Sequence, residues 1–308
     1  MSKKFDAILM IGYGAPEKIE DIRPFLMNVA KGRPIPPDRL EEVAHHYELF
    51  GGKSPLNEYT YKQAAGVQNK LSENGYELPV YVGMRNWHPF IPDTIKEMYD
   101  KGHRKVIGMI MAAHQSDASW ERYQRDIQEA LKELGIQMEF AYSPPLFDHP
   151  LFIEDNADRV KDCLNEIPTA EYPETMILFT AHSIPVPMAE ASPYVQQLET
   201  TARLIAENLN YENWRLVYQS RSGRPTDPWL EPDVCDVIED IAKDGVKNVI
   251  AQPIGFICDH IEVLFDIGVE AQEASEEAGV RLLRAKTVND DPKFIQAMVD
   301  VVEEMMDH

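Results

Sequence analysis

Cysteine is scarce in this chain. There are three, Cys163, Cys235 and Cys258, and no two stand as C-x-x-C. An odd, widely spaced set excludes a disulfide framework and a zinc ribbon, and it supplies too few thiolates for an iron–sulfur cluster. Basic residues are also short, 30 Lys and Arg against 52 Asp and Glu, for a formal net charge of −22. That balance argues against a nucleic-acid or anionic-membrane partner, because phosphate surfaces repel such a chain. Long apolar runs are absent as well. The stretch after the two lysines of MSKKFDAILMIGYG is too short to span a bilayer and lacks a small-residue cleavage site, so no transmembrane segment and a cytoplasmic location are expected. The glycines around Tyr13 do not form G-x-G-x-x-G, and no short tandem repeat or low-complexity tract is visible.

What the chain does have is a hydrophobic fraction of 44% over 308 residues, ample for one large or two ordinary domains. Apolar, β-rich runs at 5–13, 78–85, 105–113, 136–142, 175–182, 214–220, 247–255 and 280–285 alternate with helical patterns. Near-continuous apolar strands with helical crossovers predict α/β architecture with parallel sheets covered on both faces. Eight such units fit a closed barrel or two four-stranded halves. Residues 144–173, proline-punctuated around one helix, read as an inter-domain crossover. The preferred reading is therefore two Rossmann-like domains, each a four-stranded parallel sheet flanked by helices, with an active-site cleft between them. The expected boundaries are 1–150, 151–288, and a C-terminal helix at 289–308 packing back on the first domain.

Ligands of open α/β sheets bind at the carboxyl ends of the strands. Polar groups expected there are Tyr13, Arg85 and His114 in the first half, and His182, Ser220 and His260 in the second. The segment HIEVLFDIGVE spaces Glu262, Asp266 and Glu270 four residues apart, one stripe on a helix. Like charges at that spacing cost about 0.2–0.5 kcal/mol per pair. A solvated acidic face is the bland alternative. Against it, the stripe opens just after a strand end among Val263, Leu264 and Phe265, which fits a path for divalent cations or protons. An α-helix drifts by about 40° per four residues, so local π winding would align the three carboxylates better. A lone histidine such as His182 is ordinarily a hydrogen-bonded turn residue, and an imidazole opposite a carboxylate is instead suited to proton transfer or a borderline metal ion. His260 and Glu262 lack the P-C-x-x-C of zinc deaminases and are not H-E-x-x-H. Cys258 lies close enough in sequence to be near the site, although a buried hydrophobe is the commoner fate. Pro232 suits a helix start and Trp229 packing under a loop.

Taken together, GYGAP, GGKSPLNEYTYKQ, YVGMRNWHPFI, TAHSIP, TDPWLEPD and PIGFICDHIEVLFD resemble the ferrochelatases over essentially the whole chain. AHS[IL]P together with GF-x-x-DH-x-E-x-L-x-D carries most of the specificity. The resemblance implies a chelatase-like pair of Rossmann domains that inserts Fe2+ into a porphyrin in heme biosynthesis, releasing two pyrrole protons. It implies His182 and Glu262 as the catalytic pair, with Asp266 and Glu270 completing the metal path and Tyr13 on the opposite face of the macrocycle. Lys31, Arg33, Tyr47 and Ser54 match porphyrin-contact positions of that family; Arg85, from its place at a strand end, and His46 and Tyr123 are further candidate contacts. His46 and Ala30 stand where the family often has arginine. The short NVAKGRPIPPDRL, the cysteine-free C-terminus and Tyr13 in place of methionine resemble the coproporphyrin III enzymes of Gram-positive bacteria more than the protoporphyrin IX enzymes. Iron is then a substrate, no cofactor is permanently bound, and a monomer is expected. The rivals are a cobalt or nickel chelatase for another tetrapyrrole, and a non-catalytic tetrapyrrole- or metal-binding protein.

Overall fold

The computed structural model describes residues 4–31, 36–222, 224 and 226–307. All eight expected strands form: β1 (Ala7–Gly12), β2 (Val80–Met84), β3 (Lys105–Ile110), β4 (Glu139–Tyr142), β5 (Thr175–His182), β6 (Trp214–Gln219), β7 (Asn248–Gln252) and β8 (Arg281–Arg284). They make two separate four-stranded parallel sheets rather than a barrel, in the orders β2-β1-β3-β4 and β6-β5-β7-β8. The chain groups into two compact units. One comprises Met1–Met111, Ala118–Pro144 and Met298–His308, the other Ala112–Asp117 and Pro145–Ala297.

Strand composition follows from position in each sheet. The interior strands β1 and β7 are buried along their whole length, and β5 is buried up to its last residue. A strand covered on both faces has no solvent side to alternate towards, which is why AILMIG and NVIAQ read as continuous runs. The edge strands β2, β4, β6 and β8 are only partly buried. Under the second sheet, Leu178, Val217, Ile238, Ile241, Val249 and Ile267 pack into one cluster. Each such side chain contributes about 1.5–3 kcal/mol on burial. In the first unit Asp6 ties two strand starts together, its carboxylate accepting from the Arg104 and Lys105 amides at 2.8 and 2.9 Å.

One helix begins differently from expectation. The Pro232 segment leads to a helix at Val234–Lys243, but the helix is capped by Asp233, whose side chain accepts from the Cys235 amide. Pro232 therefore precedes the cap instead of occupying the first turn. Trp229 is half-buried and bridges Pro185, as expected of a residue packed against a loop.

Candidate functional site

The second unit brings a histidine and a carboxylate together at the end of a strand, His182 and Glu262. β5 is apolar and buried until His182, its last residue, where Pro185 starts a new short helix, Val186–Glu190. β6 runs alongside and places Gln219 in register with His182. The imidazole Nδ1 meets the Ser183 carbonyl oxygen. A carbonyl only accepts, so Nδ1 carries the proton and the neutral ring keeps its lone pair on Nε2. That Nε2 lies 3.8 Å from Glu262 Oε2, the side chains being 30% and 45% exposed. The separation is too long for a hydrogen bond. A divalent ion held at about 2.1 Å from each atom would fit between them at an angle of about 130°.

Glu262 reaches this position because the chain leaving β7 is pressed onto β5. Gly255 donates its amide to the Thr180 carbonyl at 3.1 Å. A Cβ on Gly255 would lie 2.7 Å from Ala181 Cβ and 2.8 Å from its Cα, so only glycine permits the approach. Asp259 then anchors the loop, accepting from Arg284 at 2.9 Å and from Asn289 at 3.1 Å. His260 is buried with its ring edge-on to Phe256, and burial lowers its pKa, which keeps it neutral. Cys258 is buried too, its thiol pushed up to about 12 by desolvation, and a protonated thiol is a poor metal ligand.

From Val263 to Glu270 the helix is π-wound, as the carboxylate spacing anticipated. The wider turn offsets the drift of about 40° that an α-helix imposes every four residues. Exposure changes along the stripe. Glu262 is half-buried, Asp266 buried and Glu270 exposed. Asp266 accepts from the Ser220 hydroxyl and from Gln219 Nε2, the latter at 3.3 Å. Ser220 delivers that hydroxyl from a left-handed turn (φ +63°), a conformation costly for a residue with a Cβ. Burial, reinforced by the negative charge of Glu262, raises the Asp266 carboxyl to about 7. A carboxyl poised there exchanges protons at neutral pH, which a uniformly solvated acidic face would not do. Among the described residues, no group of three or more His, Cys, Asp or Glu gathers as a metal cluster. Asp266 and Glu270 follow Glu262 along the same π-wound segment.

In the first unit, Tyr13 follows β1 and its carbonyl accepts from the Asn86 amide at 2.9 Å. Phe25, fully buried, meets Tyr13, Tyr47 and Trp87 edge-on at 6.2, 5.7 and 6.4 Å between centroids. Gly14 is required twice over, by φ +81° and by the Trp87 amide nitrogen 2.9 Å from where a Cβ would sit. Asn57, which sequence reasoning passed over, clamps the same turn by exchanging hydrogen bonds with the Ala15 amide and carbonyl at 2.9 and 2.8 Å.

The remaining expected porphyrin contacts are placed unevenly. Arg85 Nε lies 3.0 Å from one Asp126 carboxylate oxygen, an ion pair within its own unit, and Arg122 takes the other oxygen at 2.9 Å. Tyr123 is buried, and desolvation raises its hydroxyl pKa far above the ordinary value. Tyr47 and Ser54 are buried, Ser54 Oγ accepting from the Leu56 amide at 3.4 Å. His46 is half-buried with its pKa lowered by burial and by Arg39, which disfavours its cationic form. Lys31 is exposed at the end of the helix Ile19–Ala30. Arg33 lies outside the described residues.

His114 needs a correction. It was expected among the first half's strand-end groups, and it belongs to the second unit, fully buried, with its pKa driven down to about 3 by desolvation. The reason is a contact distant in sequence. Its Nε2 bonds Thr201 Oγ1 at 2.9 Å, and the adjacent Gln115 is doubly bonded to Gln197.

The family model described as Ferrochelatase matches residues 5–306. The chain belongs to the ferrochelatase family. That family inserts Fe2+ into a porphyrin in heme biosynthesis, a lyase-class reaction. The chain is 42% identical over 306 residues to the coproporphyrin III ferrochelatase of Mycolicibacterium smegmatis, covering 98% of this chain and 90% of that one. It is 40% identical to the coproporphyrin III ferrochelatase of Nocardia farcinica, at 98% and 88% coverage. Among solved structures, SirB from Bacillus subtilis with Fe3+ superimposes with a TM-score of 0.61 at 12% identity, covering 98% of this chain and 96% of that one, a likeness of fold. No helix among the described residues is long and apolar enough to cross a membrane.

Proposed function

We propose that this ferrochelatase takes coproporphyrin III as its porphyrin, with His182 and Glu262 as the catalytic pair. The observation that carries the catalytic assignment is the free Nε2 lone pair of His182 facing the Glu262 carboxylate at 3.8 Å. Metallation exchanges one divalent ion for two pyrrole protons, so the site must strip water from Fe2+ and provide a base. Neutral imidazole serves both needs at neutral pH. Glu262 shares the incoming ion or takes the second proton. Asp266, with its carboxyl raised to about 7, accepts that proton and passes it towards exposed Glu270. Gripping the macrocycle out of plane turns its nitrogen lone pairs towards the metal, a strain on the ground state.

Coproporphyrin III is supported by the relatives just described and by Tyr13. Its four propionates call for cationic and hydroxyl partners, among which Lys31, exposed, is available. Iron is a substrate in this reading, with no resident cofactor, and the enzyme is a cytoplasmic monomer. The test is anaerobic Fe2+ insertion, followed by porphyrin absorbance, with coproporphyrin III and protoporphyrin IX side by side. Faster turnover of coproporphyrin III, lost in His182→Ala and Glu262→Gln while porphyrin still binds, is the expected result. Faster turnover of protoporphyrin IX overturns the substrate assignment, and binding without metallation by the wild type leaves a carrier.

A further inference from the structure

His182 sits on a peptide unit that is held from both sides. The amide between His182 and Ser183 donates its N–H to the Gln219 carbonyl at 2.7 Å, and its carbonyl accepts from the Tyr194 hydroxyl at 3.1 Å. The Ser183 hydroxyl in turn donates to the Leu230 carbonyl at 2.8 Å, which steadies the residue whose own carbonyl receives His182 Nδ1–H. The plane of this peptide therefore sets where the imidazole points.

Of the two bonds to this peptide unit itself, the one from Tyr194 comes from outside the sheet. Tyr194 is the first residue of the helix Tyr194–Leu209, is 6% exposed, and sits with its ring edge-on to His114 at 6.4 Å and 87°. Thr201 Oγ1 lies 2.6 Å from the Phe147 carbonyl, the shortest of its contacts and the place for its single hydrogen. His114 Nε2 must then be the donor in its bond to Thr201, and the ring is fixed in one tautomer as a neutral buttress. Its Nδ1 has no partner among the described residues. A buried polar atom left in that state costs about 1–3 kcal/mol.

We infer that Tyr194 is a positioning residue, whose hydroxyl holds the His182–Ser183 peptide so that His182 Nε2 faces Glu262. The inference rests on the catalytic reading of His182 given above. Burial keeps the hydroxyl protonated and a donor throughout the working pH range.

The structure supplies its own control at the far end of the same strand, about 23 Å away for seven residues of extended chain. There the Tyr211 hydroxyl donates to the carbonyls of Tyr172 and Thr175 at 2.9 and 3.0 Å, an equivalent anchor with no catalytic group beside it. Tyr194→Phe and Tyr211→Phe each delete one hydroxyl and keep the ring. Both should lower the melting temperature. Tyr194→Phe should also lower kcat for Fe2+ insertion about tenfold with the porphyrin KM unchanged, because misorientation of a base acts on the transition state. Tyr211→Phe should leave kcat within about twofold of the wild type. Thr201→Val, which removes the partner of His114, should lower kcat about threefold, and it carries the test alone should Tyr194→Phe not fold. His182→Ala is assayed alongside. If it retains activity, the catalytic reading of His182 fails. If it is inactive while Tyr194→Phe and Thr201→Val turn over as the wild type does, the positioning role is overturned.

Discussion

The two units have the same strand order, one interior pair flanked by two edges, yet their strand ends are equipped in opposite ways. In the first, the strand-end arginine is paired within its own unit, Arg85 against Asp126, and Tyr13 is backed by the buried ring of Phe25. In the second, His182 and Glu262 are half-exposed and face each other at 3.8 Å, and Asp266 is buried as an acid that ionises reluctantly. Both units use a glycine to press a loop onto the sheet, Gly14 against the Trp87 amide and Gly255 against Ala181. The scaffold is therefore indifferent to chemistry. What differs is whether the residues that follow the interior strands are left unsatisfied, and an unsatisfied acid–base pair is what metal exchange requires.

The largest break in the comparison should come from His182→Ala, which removes the base and lowers kcat about a thousandfold. Tyr13→Phe, its counterpart at the other strand end, should cost less than about tenfold, since a phenol is a far weaker base than an imidazole at neutral pH. Steady-state Fe2+ insertion measures both, and equal losses would erase the asymmetry. The two glycines sharpen it further. Gly255→Ala and Gly14→Ala should each destabilise by about 3 kcal/mol in urea denaturation, because both Cβ atoms would strike atoms within 3.0 Å. Only Gly255→Ala should also cut kcat, by about a hundredfold, through displacement of the loop that carries Glu262.

Much of this was legible in the sequence for physical reasons. Parallel strands buried on both faces leave continuous apolar runs, so all eight could be located, and the four-residue spacing of Glu262, Asp266 and Glu270 foretold π winding. The partners of the strand-end groups were not legible. Nothing local marks Asp126 as the carboxylate that takes Arg85, 41 positions earlier in the chain, because that pairing depends on how a helix lies on a sheet. His114 misled for the same reason. It follows a first-unit strand in sequence and is captured by Thr201 of the second. Asn57 is a polar residue in a helical pattern, and its signal, a buried position in the first turn of a helix, exists only after folding.

A smaller effect is expected from Asp126→Asn. Arg85 and Arg122 would lose the carboxylate they share, and stripping one partner from a largely buried pair leaves a charge uncompensated. A loss of about 2 kcal/mol by urea denaturation is expected, with coproporphyrin affinity unchanged. Weakened affinity at wild-type stability would instead place Arg85 on the ligand and bring the first unit's strand ends into the chemistry.

The smallest effect tests the second unit's acid directly. Asp266 holds its proton up to about 7, well above an ordinary aspartate, because burial and neighbouring Glu262 oppose its charge. The folded state therefore binds this proton more tightly than the unfolded chain does. The resulting stability is complete below the unfolded pKa and is lost as pH rises through about 7. Between pH 6 and pH 8 that loss is about 1 kcal/mol, roughly one pH unit of linkage on this one site. Asp266→Asn keeps the acceptor oxygen for Ser220 and cannot ionise, so its stability should fall less than that of the wild type over the same interval. Parallel pH–stability curves for the two proteins would mean that Asp266 is an ordinary ionised carboxylate. The second unit's stripe would then carry fixed charge for cations and not exchangeable protons.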